Sequence, residues 1–105
     1  MYILLSLSQD KALARLEEPD DCTRFHVAIR DLSEKQVQQL LQKENLGEFA
    51  DYNTAWVQLT AIRKLAEGRI APDWSDRFEK MLDYARRKGW LSQDGTLVSG
   101  HCEWV

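Results

Sequence analysis

Four side chains in this 105-residue chain have the chemistry of soft metal ligands: Cys22, His26, His101 and Cys102. Two thiolates and two imidazoles would satisfy a tetrahedral zinc ion. Their spacing opposes it, because His101 and Cys102 are adjacent and neighbouring residues of a strand point to opposite faces. We therefore expect no metal site and no cofactor. The same histidines fit a second arrangement. If the polar side of Arg24-Phe25-His26-Val27-Ala28-Ile29-Arg30 lies beside that of the C-terminal segment, Arg24, His26 and Arg30 come near His101 and Glu103. Such a patch would hold an anion or small ligand, or form a His–carboxylate pair for proton transfer. The plainer alternative is the solvated face of a half-covered sheet.

Other chemistries find little support. The chain has no G-x-S-x-G nucleophile elbow, no G-x-x-x-x-G-K-[ST] phosphate loop and no G-x-G-x-x-G turn. Cys22 follows Asp20-Asp21, an acidic setting that disfavours the thiolate. No apolar run approaches the roughly 20 residues that a membrane helix needs. The segment Tyr2-Ile3-Leu4-Leu5 passes into Ser8-Gln9-Asp10-Lys11 rather than a leader cleavage site. The expectation is a cytoplasmic protein with reduced cysteines and no membrane partner. A net charge of −3 opposes a surface that attracts phosphate everywhere. The charge is uneven, however. Residues 63–88 carry eight Lys/Arg against five Asp/Glu, whereas residues 1–62 carry six against ten.

These groups must be positioned by elements legible in the hydrophobic pattern. Residues 2–7 are apolar at nearly every position, which predicts a central strand covered on both faces. Ala12, Leu13 and Leu16 predict a short helix over residues 10–18, ended by Pro19. Phe25, Val27 and Ile29 alternate with Arg24, His26, Ala28 and Arg30, a half-buried strand. Ser33 and Gln36 form a capping box for a helix over about 34–44, with Val37, Leu40 and Leu41 inward. Residues 49–59 fit either a helix or a turn and strand, and the strand is the better reading. Thr60 then caps a helix over about 61–67. The clearest helix spans 73–88, with Trp74, Phe78, Met81, Leu82 and Ala85 on one face and Gly89 beyond its end. Asp94-Gly95 between apolar runs predicts a C-terminal hairpin, its last strand reaching Trp104 with room for a bulge at Gly100. The expected fold is one α+β domain over residues 1–105. It is a small mixed sheet with three to four helices packed on one face and a C-terminal β-hairpin.

The helix ending Tyr84-Ala85-Arg86-Arg87-Lys88 and the hairpin Leu91 through Val98 resemble the recognition helix and wing of a winged-helix domain. The resemblance covers only residues 73–104 and implies nucleic-acid binding through Arg86, Arg87 and Lys88. Against it, Asp73 and Asp76 occupy the helix N-terminus that such helices usually present to bases. The helix dipole by itself favours basic residues at the other end.

Four tryptophans are many for so small a domain. Trp74 belongs to the helix stripe, while Trp90 and Trp104 flank the C-terminal segment and are candidate partner anchors. The favoured function is a small accessory or interaction domain that binds a protein partner or a second copy of itself through Trp90 and Trp104. Arg86, Arg87 and Lys88 would supply charge at the rim. The alternatives are the nucleic-acid binder and a small-ligand site at His26, Arg30, His101 and Glu103.

Overall fold

A computed structural model describes all 105 residues. Its first surprise comes at Gln9-Asp10, where both residues have positive φ, 51° and 63°. This two-residue turn reverses the chain and pairs β1 (Tyr2–Ser8) antiparallel with β2 (Lys11–Glu17). The helix expected over residues 10–18 is therefore a strand. Ala12, Ala14 and Leu16 pack toward the core, while Lys11, Leu13 and Arg15 are exposed. Over so short a segment Ala12, Leu13 and Leu16 fit either period, and the adjacent β1 decides between them.

The chain continues through β3 (His26–Arg30) to α1 (Glu34–Lys43), where the Ser33 hydroxyl accepts from the Gln36 amide and the Gln36 side chain accepts from the Ser33 amide. A hairpin follows, made of β4 (Gly47–Asp51) and β5 (Thr54–Gln58). Gly47 is required here: its φ is +154°, and a Cβ would lie 1.8 Å from the Trp56 carbonyl oxygen. Helix α2 (Leu59–Ala66) starts directly from β5, ahead of the expected Thr60 cap and without a side-chain cap. Helix α3 (Trp74–Lys88) ends at Gly89 in the left-handed region, and β6 (Leu97–Trp104) completes the chain.

All six strands join one sheet in the order β2-β1-β3-β6-β5-β4. Its inner pairs β1–β3 and β3–β6 are parallel, and its outer pairs are antiparallel. This corrects the expected small sheet bearing three to four helices on one face and a C-terminal hairpin. Strand, at 36% of the chain, outweighs helix at 31%, there are three helices, and the sheet is curled. Helix α1 touches both β2 and β4, and α2 touches both β2 and β5, so opposite ends of the sheet bend round the same helices. The Asp94-Gly95 hairpin shrinks to a single bridge, Leu91 to Val98. Its last strand has better partners: residues 97–101 pair with β5 and residues 101–104 with β3, leaving little free edge for the segment after Trp90. No bulge forms at Gly100, which pairs in register with Ala55.

The core is one cluster of 21 buried residues that includes Ile3, Leu5, Val27, Ile29, Val57, Ile62 and Phe78. Each such side chain stabilises by about 1.5–3 kcal/mol when fully buried. No polar or charged residue is buried with them. Within α3 the Trp74 ring stacks on Phe78, and the Trp74 indole ties the helix to the β2–β3 connection by donating to the Pro19 carbonyl at 2.6 Å. Arg77 bridges Asp20 and Asp73. The Asp20 carboxyl is held below its usual range by the Ala71 amide first and by Arg77 second. Strand β1 is central in pairing, but only Ile3 and Leu5 of it are buried. Tyr2 and Leu4, on the opposite face, remain half-exposed.

Candidate functional site

The parallel register of β1, β3 and β6 aligns a row of side chains on the sheet face away from the core. Tyr2 lies opposite His26, His26 opposite His101, and His101 opposite Thr54 on β5. The Tyr2 ring stacks on His26 with centroids 4.7 Å apart and an interplanar angle of 15°. Glu103, two residues beyond His101, reaches back so that its Oε2 is 3.4 Å from His26 Nε2. The sequence expectation that His26, His101 and Glu103 share a patch therefore matches the geometry. Arg30 shares the face but not the site. It pairs with Ser6 four residues along β3, roughly 13 Å from His26 at the usual strand rise.

Beside this row lies a groove of about 290 Å³ lined by Phe25, Asn53, Thr54, Trp90, Ser99, Gly100 and His101. Trp90 is fixed there by backbone contacts on both sides. Its amide donates to the Ala85 carbonyl, which closes α3, and its carbonyl accepts from the Ser99 amide of β6 at 2.7 Å. The indole itself stays 46% exposed and meets Tyr84 edge-on, which is 47% exposed. Lys88 Nζ lies 5.6 Å from the Tyr84 ring centroid, and Arg87 is exposed. Arg86 is turned to Asp83, with a 2.8 Å ion pair. The turn leading from Trp90 to β6 is organised by Asp94, which accepts from Ser92 Oγ, Thr96 Oγ1 and the Thr96 amide. These bonds, Ser92's first, hold the Asp94 carboxyl below its usual range.

Trp104 is differently placed. It shares the core-facing side of β6 with Cys102, donates its indole N–H to the Tyr52 carbonyl at 2.7 Å, stacks on Tyr52 and meets Phe49 edge-on. It belongs to the sheet end rather than to the surface that carries Trp90. Both cysteines are free. Burial pushes the Cys102 thiol up to about 11, and it also raises that of Cys22. His101 and Cys102 point to opposite faces, and no three His, Cys, Asp or Glu side chains converge as a metal site.

Sequence reasoning missed Phe25, Tyr84 and the stacking role of Tyr2. Tyr84 carried a signal, because it lies outside the apolar stripe of α3 and is an aromatic at an outward position. Phe25 carried none, since its place over Gly100 depends on strands brought together from distant parts of the chain.

No protein-family model, curated protein or solved structure matches this chain, which leaves its own geometry to carry a functional reading.

Proposed function

We propose that this chain is a protein-interaction domain whose docking surface is the groove at Trp90. Its partner is a segment presenting an apolar side chain flanked by carboxylates. The observation that supports this most directly is the pair of touching, nearly half-exposed aromatics, Trp90 and Tyr84, beside a groove, with Lys88 over the Tyr84 ring and Arg87 exposed in the same helical turn. Exposed Trp and Tyr with a cationic rim are the residue types that dominate binding energy at interfaces. The rigid backbone bonds on both sides of Trp90 lower the ordering cost of engagement. The test is to pan a displayed random-peptide library on the immobilised chain, with Trp90→Ala as parallel bait. Enriched acidic-apolar peptides that lose at least tenfold in affinity on Trp90→Ala support the reading. Peptides that bind both baits equally, or no enrichment, overturn it.

The winged-helix arrangement gains no support: β6 is paired on both sides and does not project as a wing.

A further inference from the structure

The two edges of the sheet are not equivalent. Strand β4 is five residues long and its register shifts between Phe49 and Asp51, an irregularity that blunts an edge. Strand β2 has seven residues in unbroken register, with no proline, glycine or bulge. Its tight turn makes Ser8–Lys11 the first hydrogen-bonded pair, so the backbone groups of Ala12, Ala14 and Leu16 point away from β1. At Leu16 the edge is already closed, because the Arg69 guanidinium takes its carbonyl at 2.7 Å. Ala12 and Ala14 are left with two outward N–H donors and two outward carbonyl acceptors. Along this edge runs a groove of about 460 Å³, lined by Leu13, Ala14, Leu46, Ala61 and Leu65 together with Lys64. Leu13 is 39% exposed, and nothing in the fold accounts for it.

Charge decides what fits. Lys11 and Arg15 project from β2 itself, Lys64 lines the groove from α2, and Arg69 caps its end. Of the acidic groups nearby, Glu17 is paired with Arg15 at 3.4 Å, Asp10 lies beside Lys11, and Glu44 lines the groove with Lys64. A second copy of the chain is a poor occupant. The antiparallel register that uses Ala12 and Ala14 on both copies sets Lys11 of one against Arg15 of the other, and like charges directly opposed destabilise.

We infer that the β2 edge receives an extended acidic segment of a partner protein, which adds a seventh strand through the backbone of Ala12 and Ala14. Alternate apolar side chains of that segment enter the groove toward Leu46, Ala61 and Leu65, and its carboxylates meet Lys11, Arg15 and Lys64. The backbone bonds give affinity without sequence preference, and the groove and basic rim select the side chains. The surface shares no residue with the Trp90 groove, so the two assignments stand or fall separately.

The probe is a capped synthetic peptide of alternating Glu and Val, titrated into the isotope-labelled chain and followed by amide shifts and hydrogen exchange. Shifts at Ala12 and Ala14 with at least tenfold slower exchange support the inference. A Lys/Val peptide should bind at least tenfold more weakly, and a Glu/Val peptide N-methylated at alternate residues should lose binding to a similar extent. Ala14→Pro removes the same donor from the protein side, at an outward position where an edge strand tolerates proline. The N-methylated peptide makes the same test without touching the fold. Equal binding of the Glu/Val and Lys/Val peptides, shifts at Trp90 without any at Ala12 and Ala14, or no binding would each overturn the β2-edge assignment.

Discussion

Trp90 and Trp104 lie at opposite ends of the same C-terminal segment, one just after α3 and one at the last residue of β6, and they have been put to different uses. Trp104 spends its indole N–H on the Tyr52 carbonyl and both ring faces or edges on Tyr52 and Phe49. Trp90 is held by its backbone alone, and its ring is left to Tyr84 and solvent. A tryptophan whose polar atom and ring are both satisfied inside the fold stabilises the fold. One fixed by its main chain with an open ring is preorganised for something else. The difference turns on position: Trp104 lies within β6 on the face of Cys102 and the core, whereas Trp90 lies in the connection ahead of the strand and lines the groove.

The comparison breaks most severely if the Trp104 end is undone from beneath. Gly47→Ala drives a Cβ into the Trp56 carbonyl at the base of the hairpin that carries Phe49 and Tyr52. We expect a loss of about 3 kcal/mol or more by urea unfolding, with the Trp104 environment altered. Trp104→Ala should cost about 2–4 kcal/mol in the same assay, while Trp90→Ala should stay within about 0.5 kcal/mol. Equal costs for the two would erase the distinction.

Smaller effects sharpen the picture at the Trp90 end. A Cβ at Gly100 would sit 3.0 Å from the Phe25 ring, so Gly100→Ala should cost about 1 kcal/mol and narrow the groove beside Trp90. Thermal unfolding measures the first effect, and iodide quenching of Trp90 fluorescence the second. The smallest effect is a pH dependence. The Asp94 carboxyl is held below its ordinary value of 3.8, so its contribution is fully present above that pH and is lost as pH falls through the lowered folded value. Below about pH 3.8 the 92–96 turn should loosen, with amide exchange at Thr96 rising before that at Cys102. Asp94→Asn should remove this early acid response.

Much of the scaffold was legible along the chain. The Ser33–Gln36 capping box, the stripe from Trp74 to Ala85 and the alternation of Phe25 to Arg30 each name an element through neighbours within a few residues. The grouping of His26, His101 and Glu103 was legible too, because it needs only that two strands pair with polar faces aligned. The β2 strand was not, since Gln9-Asp10 adopts a left-handed turn without the usual glycine and the segment Lys11–Glu17 takes its form from β1. Nor was the open β2 edge, which exists only once the order of six strands is known.

The sequence by itself determined the Ser33 start of α1 and the Gly89 end of α3, which residues face inward along those two helices, and which basic and aromatic residues gather near Gly89. These follow from contacts within one or two turns of chain, where spacing alone sets the geometry. Only the tertiary structure decided that β6 lies between β3 and β5, that Trp104 is consumed by the fold while Trp90 is not, and that β2 keeps unpaired backbone groups. Those outcomes depend on pairing between strands tens of residues apart, for which several arrangements satisfy the same local pattern and the common core selects one.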